Sequence, residues 1–332
     1  MRSPELPWAA AAAELARART VLLAIHQRPD SDALGSELAI ASFLGRMGAR
    51  TWAGSDDPVP WRYRFLPGAS GVLGPRARLP ARFDLAVMIE CSIPARAGAF
   101  GRAMRRARRV LNIDHHPDNT MYGAVNLVDP AAPATVLLAE RLREELGLPL
   151  DRAAAMNFYT GLYGETGGFR YSNTTAEVLR LSARLIECGA NPGLVAEKFH
   201  AENPLRRLRL LARALAGLQL HCKVAWMSVS RADFAAAGAR EEDSEEFVEY
   251  ARSIRGVRAA IFLREVPEGV RASLRSKSGM DMNRIARRFG GGGHAFAAGC
   301  TLRGLGLEEA RRRMQRAVEA EGRSRRRGDR GA

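Results

Sequence analysis

The stretch HQRPDSDALGS, residues 26–36, indicates the class of fold because it joins an unbroken apolar run to a segment with helical spacing. The preceding run, VLLAI at residues 21–25, has the length of a strand buried on both faces, as in a parallel sheet. After Asp32, the small residues and the spacing of Leu34 and Leu38 predict a helix. The stretch is therefore predicted to be the turn after a parallel strand, where open α/β sheets bind ligands.

This turn contains three potential metal ligands, His26, Asp30 and Asp32. Two aspartates spaced two residues apart point the same way if the segment is extended. Carboxylates that lie so close repel each other unless a cation lies between them. We therefore favour a metal site. The alternative is a solvated loop in which an aspartate caps the next helix.

The same pattern, an apolar strand followed by acids or histidines, occurs twice more. The run at residues 83–89 ends in Glu90, and the run at residues 109–113 ends in the tripeptide Asp114-His115-His116. Strands that alternate with helical stretches indicate a parallel α/β sheet. The carboxyl ends of such strands meet at one edge, so we expect these side chains to lie close together.

The strand-end side chains form one candidate set of metal ligands. The set is His26, Asp30, Asp32, Glu90, His115 and Glu165, with Asp114 and His116 beside them. Mixed carboxylate and imidazole ligands suit Mn²⁺, Zn²⁺ or Fe²⁺, and octahedral oxygen-rich sites favour Mn²⁺ or Mg²⁺. The acids are numerous enough for two ions that share a carboxylate, an arrangement that hydrolyses phosphate esters. For Asp114, the alternative is a carboxylate that only orients a histidine.

A second candidate site lies in the glycine run of residues 290–294, GGGGH. A run of small residues exposes backbone N–H groups, which is typical of an anion-binding nest. His294 and Arg275 would add positive charge to such a nest. The alternative is a flexible linker.

Composition gives weaker information. The 332 residues carry a net charge of +15, which favours an anionic partner such as nucleic acid, although an arginine-rich proteome is the alternative explanation. The four cysteines are widely scattered, which indicates reduced thiols and a cytoplasmic protein. No apolar run is long enough to span a membrane, and residues 8–16 lack the basic start of a signal peptide.

Several independent motifs resemble those of the DHH/DHHA1 phosphoesterases. They are residues 26–36, the tripeptide Asp114-His115-His116, FRYSNT at 169–174, SLRS at 273–276 and GGGHAFAAG at 291–299. Within that family, the chain looks most like the branch of bifunctional oligoribonucleases and 3′-phosphoadenosine 5′-phosphate phosphatases. The resemblance covers nearly the whole chain, with the motifs in the right order and spacing.

The resemblance implies an α/β fold of two domains. A parallel-sheet DHH catalytic domain would occupy residues 1–195, a helical linker 196–218, and a smaller α/β DHHA1 substrate-binding domain 219–322, with the active site in the cleft between the domains. The arginine-rich residues 323–332 are predicted to be a basic disordered tail.

The resemblance also implies a role for each site residue. Two ions, Mn²⁺ or alternatively Mg²⁺ or another divalent metal, are expected. His26 and Asp30 would hold one ion, Asp32, His115 and Glu165 the other, and Glu90 would bridge them. His116, with Asp114 as its catalytic partner, would contact the scissile phosphate. The rest of the nucleotide would be held by Arg275, Gly291, Gly292, Gly293 and His294.

The implied function is hydrolysis of short oligoribonucleotides to mononucleotides, and of 3′-phosphoadenosine 5′-phosphate to AMP. Short RNA or nucleotide phosphates are thus the expected partners, with no membrane association and with a homodimer as a further expectation. Glu90 and Glu165 stand where the family normally has aspartate. Two alternatives therefore stay open: a phosphodiesterase of cyclic or linear dinucleotides, and a weakly active homologue that binds nucleotides or RNA.

Overall fold

The chain divides into two compact units between Glu202 and Asn203 in the computed structural model, which describes residues 6–277 and 279–328. The first unit contains a five-stranded parallel sheet, and the second contains a separate mixed sheet. The predicted α/β class, with a parallel-sheet domain followed by a smaller α/β domain, is therefore confirmed. The break between the units lies inside the segment 196–218 that the sequence predicts as a linker.

The first unit alternates strands and helices. Its strands are β1 (Thr20–Ala24), β2 (Arg50–Gly54), β3 (Phe83–Ile89), β4 (Ala107–Asp114) and β5 (Val125–Val128). Its helices are α1 (Trp8–Arg17), α2 (Ser31–Arg46), α3 (Gly98–Ala103), α4 (Thr135–Glu145), α5 (Arg152–Glu165), α6 (Ala176–Glu187) and α7 (Pro192–Ala196). Short 3₁₀ turns precede β3 and β4, and a π-helical turn follows α7. The strand order β2-β1-β3-β4-β5 reverses direction between β1 and β3. Such a reversal opens a crevice at the carboxyl ends of the strands.

Strand β1 shows why the central strands are apolar throughout. Val21 and Leu23 are buried in the core on one face of the sheet, and Leu22 and Ala24 are buried in a second core on the other face. A strand covered on both faces cannot alternate polar and apolar side chains. The unbroken run that suggested a parallel sheet follows directly from this packing.

Helix α2 leads from the turn after β1 and packs closely against α5. A Cβ atom on Gly35 of α2 would lie 2.5 Å from the Asn157 carbonyl oxygen of α5, whereas a Cβ on Gly45 of the same helix would meet nothing within 4 Å. Glycine at position 35 therefore sets how closely the two helices approach.

We expect Gly35→Ala to destabilise the protein by about 1–3 kcal/mol, because the methyl group overpacks the α2–α5 contact. Gly45→Ala, the matched control, should instead stabilise it by up to about 1 kcal/mol, because alanine is the better helix former. Urea unfolding of both variants measures the difference. Equal stability of the two variants would contradict this packing.

The second unit is built on its own mixed sheet, in the order β10-β11-β9-β8-β7-β6, in which only the β7–β8 pair is parallel. Its strands are β6 (Gln219–His221), β7 (Val224–Val229), β8 (Ala259–Val266), β9 (Gly269–Ser276), β10 (Gly292–Gly293) and β11 (Ala297–Arg303). Its helices are α8 (Leu205–Ala216), α9 (Arg231–Ala237), α10 (Phe247–Ser253), α11 (Met282–Arg287) and α12 (Leu307–Gly328). Leu210, Leu211 and Ala214 of α8 are buried in this unit's core. Helix α8 thus packs as part of the second unit, although the sequence suggested that it is a connector.

The C-terminal segment differs from its prediction. Residues 323–328 continue helix α12, where we predicted the start of a disordered tail. Arginine has a high helix propensity, so a basic composition alone does not end a helix. Residues 329–332 lie outside the described residues. Among the described helices, none combines the length and apolar composition needed to cross a bilayer.

Candidate active site

The predicted ligands of the first unit gather at the carboxyl edge of the parallel sheet. His26 follows β1, Glu90 follows β3, and Asp114 ends β4 with His115 next to it. All four side chains are buried. Strands β1 and β3 are neighbours in the sheet and flank the point where the strand order reverses. The sheet therefore brings these groups into its ligand-binding crevice.

Glu90 lies at the centre of this arrangement. It belongs to three groups whose ligand atoms lie within 4.8 Å of one another. These groups are His26–Asp30–Glu90, Asp32–Glu90–His115 and Glu90–Asp114–His116. Glu90 Oε1 lies 3.3 Å from His115 Nε2, and His26 Nε2 lies 3.5 Å from Asp30 Oδ2. One carboxylate is thus shared between a His26 side and a His115 side of the site.

Asp30 and Asp32 do not lie on an extended segment, so that part of the prediction is wrong. Helix α2 begins at Ser31, because the Asp30 side chain accepts a hydrogen bond from Ala33 N–H at 3.0 Å and caps the helix. Asp32 is consequently helical. The two carboxylates enter different groups, and the capping role that we held as the alternative applies to Asp30.

The N-terminus of α4 holds Asp32 in place. The two carboxylate oxygens of Asp32 accept hydrogen bonds from the backbone N–H groups of Thr135 at 2.7 Å and Val136 at 2.9 Å. These N–H groups belong to the first turn of α4, where no intrahelical acceptor exists. His115 Nε2 lies 3.8 Å from Asp32 Oδ2. A helix end thus fixes one ligand of the site.

Glu90 has an unusual backbone conformation. Its φ angle is 59°, in the left-handed region that is uncommon for residues other than glycine. Its N–H still donates to the Ile113 carbonyl oxygen at 3.0 Å, so the turn occurs directly at the end of the β3–β4 ladder. Such strained residues cluster at functional sites. Among the described residues, its buried Oε2 atom has no hydrogen-bond partner.

The electrostatics of the site favour a bound cation. Burial, followed by the charges of Asp30, Asp114 and Glu165, raises the pKa of Glu90 well above its usual range. Burial and the neighbouring Glu90 raise the pKa of Asp32 in the same way. The site thus contains buried carboxylates that cannot all be ionised without a cation, a carboxylate oxygen without a hydrogen-bond partner, and two imidazoles. This donor set fits divalent metal ions.

Asp114 and His116 form a hydrogen-bonded pair beside these ligands. Asp114 Oδ1 accepts from His116 Nδ1 at 2.7 Å and from two backbone N–H groups, and Oδ2 accepts from Asn119 Nδ2 at 2.6 Å. Burial alone would raise the pKa of Asp114, but the hydrogen bonds from the His116 and Asn119 side chains and the His116 charge lower it to about 2. Burial lowers the pKa of His116. An ionised Asp114 can only accept, so a neutral His116 carries its proton on Nδ1.

The structure also shows residues that the sequence analysis missed. Arg96 Nη1 lies 3.5 Å from His116 Nε2, on the side of the ring opposite Asp114. Asp56 accepts from Gln27 Nε2 at 2.8 Å and from the N–H of Ala99 at 2.9 Å, which ties the turn after β1 to the start of α3. Asp56 lies two residues after the end of β2, so the rule of acids after strands would have found it.

Glu165 is the last residue of α5 and is half-buried. Its charge contributes to the raised pKa values of Glu90 and of His115. It does not belong to the three groups that share Glu90. Its role as a metal ligand stays a prediction.

The predicted nucleotide-binding residues lie in the second unit. Arg275 Nε donates to Glu249 Oε1 at 2.9 Å, so this guanidinium is already held by a carboxylate. The N–H of Gly291 donates to Ala286 O, and the N–H of His294 donates to Ala297 O. The end of helix α11 and the hairpin formed by β10 and β11 therefore each use one of the N–H groups that we assigned to an anion nest.

The glycines of this hairpin have a packing reason. A Cβ on Gly291 would lie 2.2 Å from the Gly299 carbonyl oxygen. Gly293 has a φ of 131°, and its Cβ would lie 2.6 Å from Ala297 O. The His294 ring stacks on Phe296 with centroids 5.3 Å apart. The predicted roles of Arg275, Gly291, Gly292, Gly293 and His294 in substrate binding stay predictions.

Glu37 is a buried carboxyl of α2 outside the metal-ligand groups. Its Oε1 accepts from Gly54 N–H at 3.0 Å, and burial raises its pKa from 4.5 to about 8. Below pH 4.5 the carboxyl is neutral in both the folded and unfolded states. As the pH rises from 4.5 to 8, the unfolded chain loses this proton first, which destabilises the folded protein.

We therefore expect Glu37→Gln to be as stable as the natural protein near pH 4 and progressively more stable than it up to about pH 8. The gain should be on the order of a few kcal/mol, because the glutamine oxygen can still accept from Gly54 and no charge is buried. Denaturant unfolding at several pH values measures it. A stability difference that does not change with pH would rule out the buried, protonated carboxyl.

A cluster of buried imidazoles and carboxylates at the carboxyl edge of a doubly wound sheet fits a divalent metal centre of the kind that hydrolyses phosphate esters, which is the centre of a metal-dependent phosphoesterase. A family model described as "DHH family, N-terminal domain" matches residues 20–162, and the DHHA1 domain matches residues 223–321. The chain belongs to this DHH/DHHA1 family, so the resemblance is confirmed.

Two curated relatives align with most of its length. A bifunctional oligoribonuclease and PAP phosphatase NrnA from Thermus thermophilus is 34% identical, over 91% of this chain and 90% of the relative. The protein of the same name from Bacillus subtilis is 25% identical, over 85% and 89%. The crystal structure of an exopolyphosphatase-related protein from Bacteroides fragilis has a TM-score of 0.86 at 26% identity, covering 94% of this chain and 95% of that one. These relatives do not favour the dinucleotide or the weakly active alternatives.

Proposed function

We propose that this chain hydrolyses short oligoribonucleotides to mononucleotides and 3′-phosphoadenosine 5′-phosphate to AMP. The observation that carries this proposal is Glu90, a single buried carboxylate shared by the His26–Asp30 side and the Asp32–His115 side of the site. The names of the Thermus thermophilus and Bacillus subtilis relatives support the choice of substrates.

Two Mn²⁺ ions are the cofactors that we propose, with Mg²⁺ or another divalent metal as the substitute. His26 and Asp30 would hold one ion, Asp32 and His115 with Glu165 the other, and Glu90 would contact both. When bound, such ions stabilise the charge on the attacking and leaving oxygens and make water a stronger nucleophile.

His116 and Arg96 would receive the scissile phosphate. The Nδ1–H of His116 donates to Asp114, so the other ring nitrogen, Nε2, faces Arg96. The guanidinium of Arg96 supplies a fixed positive charge there and can donate to phosphate oxygens as their negative charge grows. Asp114 thus orients His116, and Arg96 lowers the energy of the transition state.

The second unit would bind the remainder of the nucleotide through Arg275, the glycines Gly291, Gly292 and Gly293, and His294. Arg275 already pairs with Glu249, so a substrate phosphate would share this guanidinium through its remaining N–H groups. We further propose a cytoplasmic enzyme. A homodimer stays a prediction that light scattering after gel filtration measures.

The proposal is tested with an end-labelled three-nucleotide RNA and, separately, with 3′-phosphoadenosine 5′-phosphate, each with Mn²⁺. We expect release of mononucleotide and of inorganic phosphate, and loss of both in His115→Ala. Circular dichroism shows whether that variant is folded. Turnover of neither substrate by a folded, Mn²⁺-binding natural protein would refute the proposed function.

Arg96→Met is expected to lower kcat about 10²–10³-fold, because one preorganised donor to the developing charge is lost. Mn²⁺ affinity should not change, since Arg96 is not a ligand. The pKa of His116 should rise when the neighbouring positive charge is removed, which shifts the pH–rate profile. Arg102→Met on the exposed side of α3 is the matched control and should keep full activity. Loss of Mn²⁺ binding in Arg96→Met would contradict this role.

A further inference from the structure

The amino edge of the parallel sheet carries a group of exposed arginines that the active site does not use. We call Arg19, Arg82, Arg105, Arg106 and Arg108 the amino-edge patch. Arg19 precedes β1, Arg82 precedes β3, and the other three lie at or just before the start of β4. All five are exposed.

Contacts hold the members of this patch on one surface. Asp84 accepts from the backbone N–H of Arg19 at 3.1 Å and lies 3.9 Å from Arg108 Nη1. Arg106 donates to the Pro80 carbonyl oxygen at 3.3 Å, in the loop that leads to Arg82. Strands β3 and β4 pair with Phe83 opposite Ala107, which places Arg82 beside Arg106.

The charge of this surface is concentrated and largely unneutralised. Against the five positive charges of the patch, Asp84 is the acid that contacts it, through the Arg19 N–H and the Arg108 guanidinium. Among the described residues, the guanidinium groups of Arg82 and Arg105 make no ion pair. The Arg108 side chain is 75% exposed. Mutually repelling charges at this density favour a polyanionic partner.

The patch is separate from the site of chemistry. The metal-ligand groups follow the carboxyl ends of β1, β3 and β4, whereas the patch lies at the amino ends of the same strands. Strands of seven and eight residues put the two edges about 20 Å apart. A substrate of two or three nucleotides held at the site therefore does not need these arginines.

We infer that the amino-edge patch is an RNA-binding exosite, which holds the phosphate backbone of strands longer than the substrate of the active site. The choice of RNA rests on the proposed function, and the charge distribution itself requires only a polyanion. Arginine side chains that contact phosphates bind without sequence preference and release counterions, so the binding weakens steeply with salt.

The test compares Arg105→Ser/Arg106→Ser/Arg108→Ser with a matched triple, Arg209→Ser/Arg231→Ser/Arg255→Ser, on exposed positions of the second unit. Fluorescence anisotropy measures binding of a labelled twenty-nucleotide polyuridylate in EDTA, where no hydrolysis occurs. We expect the patch triple to bind about tenfold more weakly than the natural protein, and its slope of log binding constant against log salt concentration to be smaller by about 2. The matched triple should bind much more tightly than the patch triple. An excess of three-nucleotide RNA should not displace the polyuridylate.

Equal binding by the two triples, or displacement by the three-nucleotide RNA, would overturn the inference. So would a patch triple that keeps RNA binding and loses binding to phosphatidylserine vesicles, because the surface would then serve a membrane. Hydrolysis of the three-nucleotide RNA with Mn²⁺ should be unchanged in the patch triple. Failure of that hydrolysis in the natural protein would refute the proposed function alone, since the anisotropy experiment does not depend on turnover.

Discussion

Glu90→Gln is expected to lower turnover by about three orders of magnitude and, at the same time, to make the metal-free protein more stable. The loss follows because the shared carboxylate contributes charge to both sides of the site, and metal stabilisation of the transition state amounts to several kcal/mol. The gain follows because burial and the charges of Asp30, Asp114 and Glu165 oppose ionisation of Glu90. A neutral amide removes that repulsion, and the gain should increase as the pH rises above the ordinary pKa of a glutamate.

Two measurements separate these effects. Thermal unfolding in EDTA should show a higher Tm for Glu90→Gln than for the natural protein, and addition of Mn²⁺ should stabilise the natural protein more than the variant. Glu37→Gln is the matched control, since it also removes a buried carboxylate of raised pKa but lies outside the ligand groups. It should gain stability and keep both activity and Mn²⁺ stabilisation. Unchanged activity in Glu90→Gln would remove the basis of the proposed two-metal site.

Asp114→Asn is expected to lower kcat between about a hundredfold and ten-thousandfold with little change in Mn²⁺ affinity. Every hydrogen bond that Asp114 makes through its carboxylate is one that it accepts, and an amide group must turn its NH₂ toward one set of donors. His116 then loses the partner that fixes its proton on Nδ1, and a wrong tautomer is known to be costly in catalysis. The pKa of His116 should fall further, because the Asp114 charge favours the protonated ring.

Asp84→Asn is the control for this variant. Asp84 likewise accepts several hydrogen bonds, from Arg19 N–H, Thr20 N–H and Thr20 Oγ1, and these hold its pKa below the usual range. It lies at the amino end of β3, away from the site. We expect it to lose stability but to keep kcat. If Asp114→Asn lost stability and Mn²⁺ binding without a specific loss of kcat, Asp114 would have only a structural role.

The sequence was sufficient for the sheet and for placing several of the candidate ligands at one edge of it. Runs such as residues 83–89 must be strands buried on both faces, and parallel strands necessarily end on one edge, so Glu90 and His115 could be brought together without coordinates. The relative orientation of Asp30 and Asp32 could not be predicted in this way. Asp30 caps a helix that begins at Ser31, so Asp32 is already helical and the two residues do not share an extended segment.

Contacts between distant loops were also out of reach. Arg96 meets His116, and Asp56 binds Gln27, only because the crevice of the sheet brings separate loops together. The hydrogen-bond partners of the N–H groups in the glycine hairpin likewise depend on the pairing of β10 with β11, which the glycine pattern alone does not reveal. Periodicity predicts elements and strand ends, whereas hydrogen bonds over long sequence separations depend on the assembled fold.

The lengths of the outermost strands bear on how the protein behaves when it is crowded. Strand β10 has two residues, β6 has three and β5 has four, and β2 begins with the exposed Arg50. A long, flat edge strand offers unpaired N–H and C=O groups to a neighbouring chain and promotes aggregation. Short edges offer too few of these groups for stable pairing. Both sheets are therefore protected from growing into fibrils by the addition of strands from other copies.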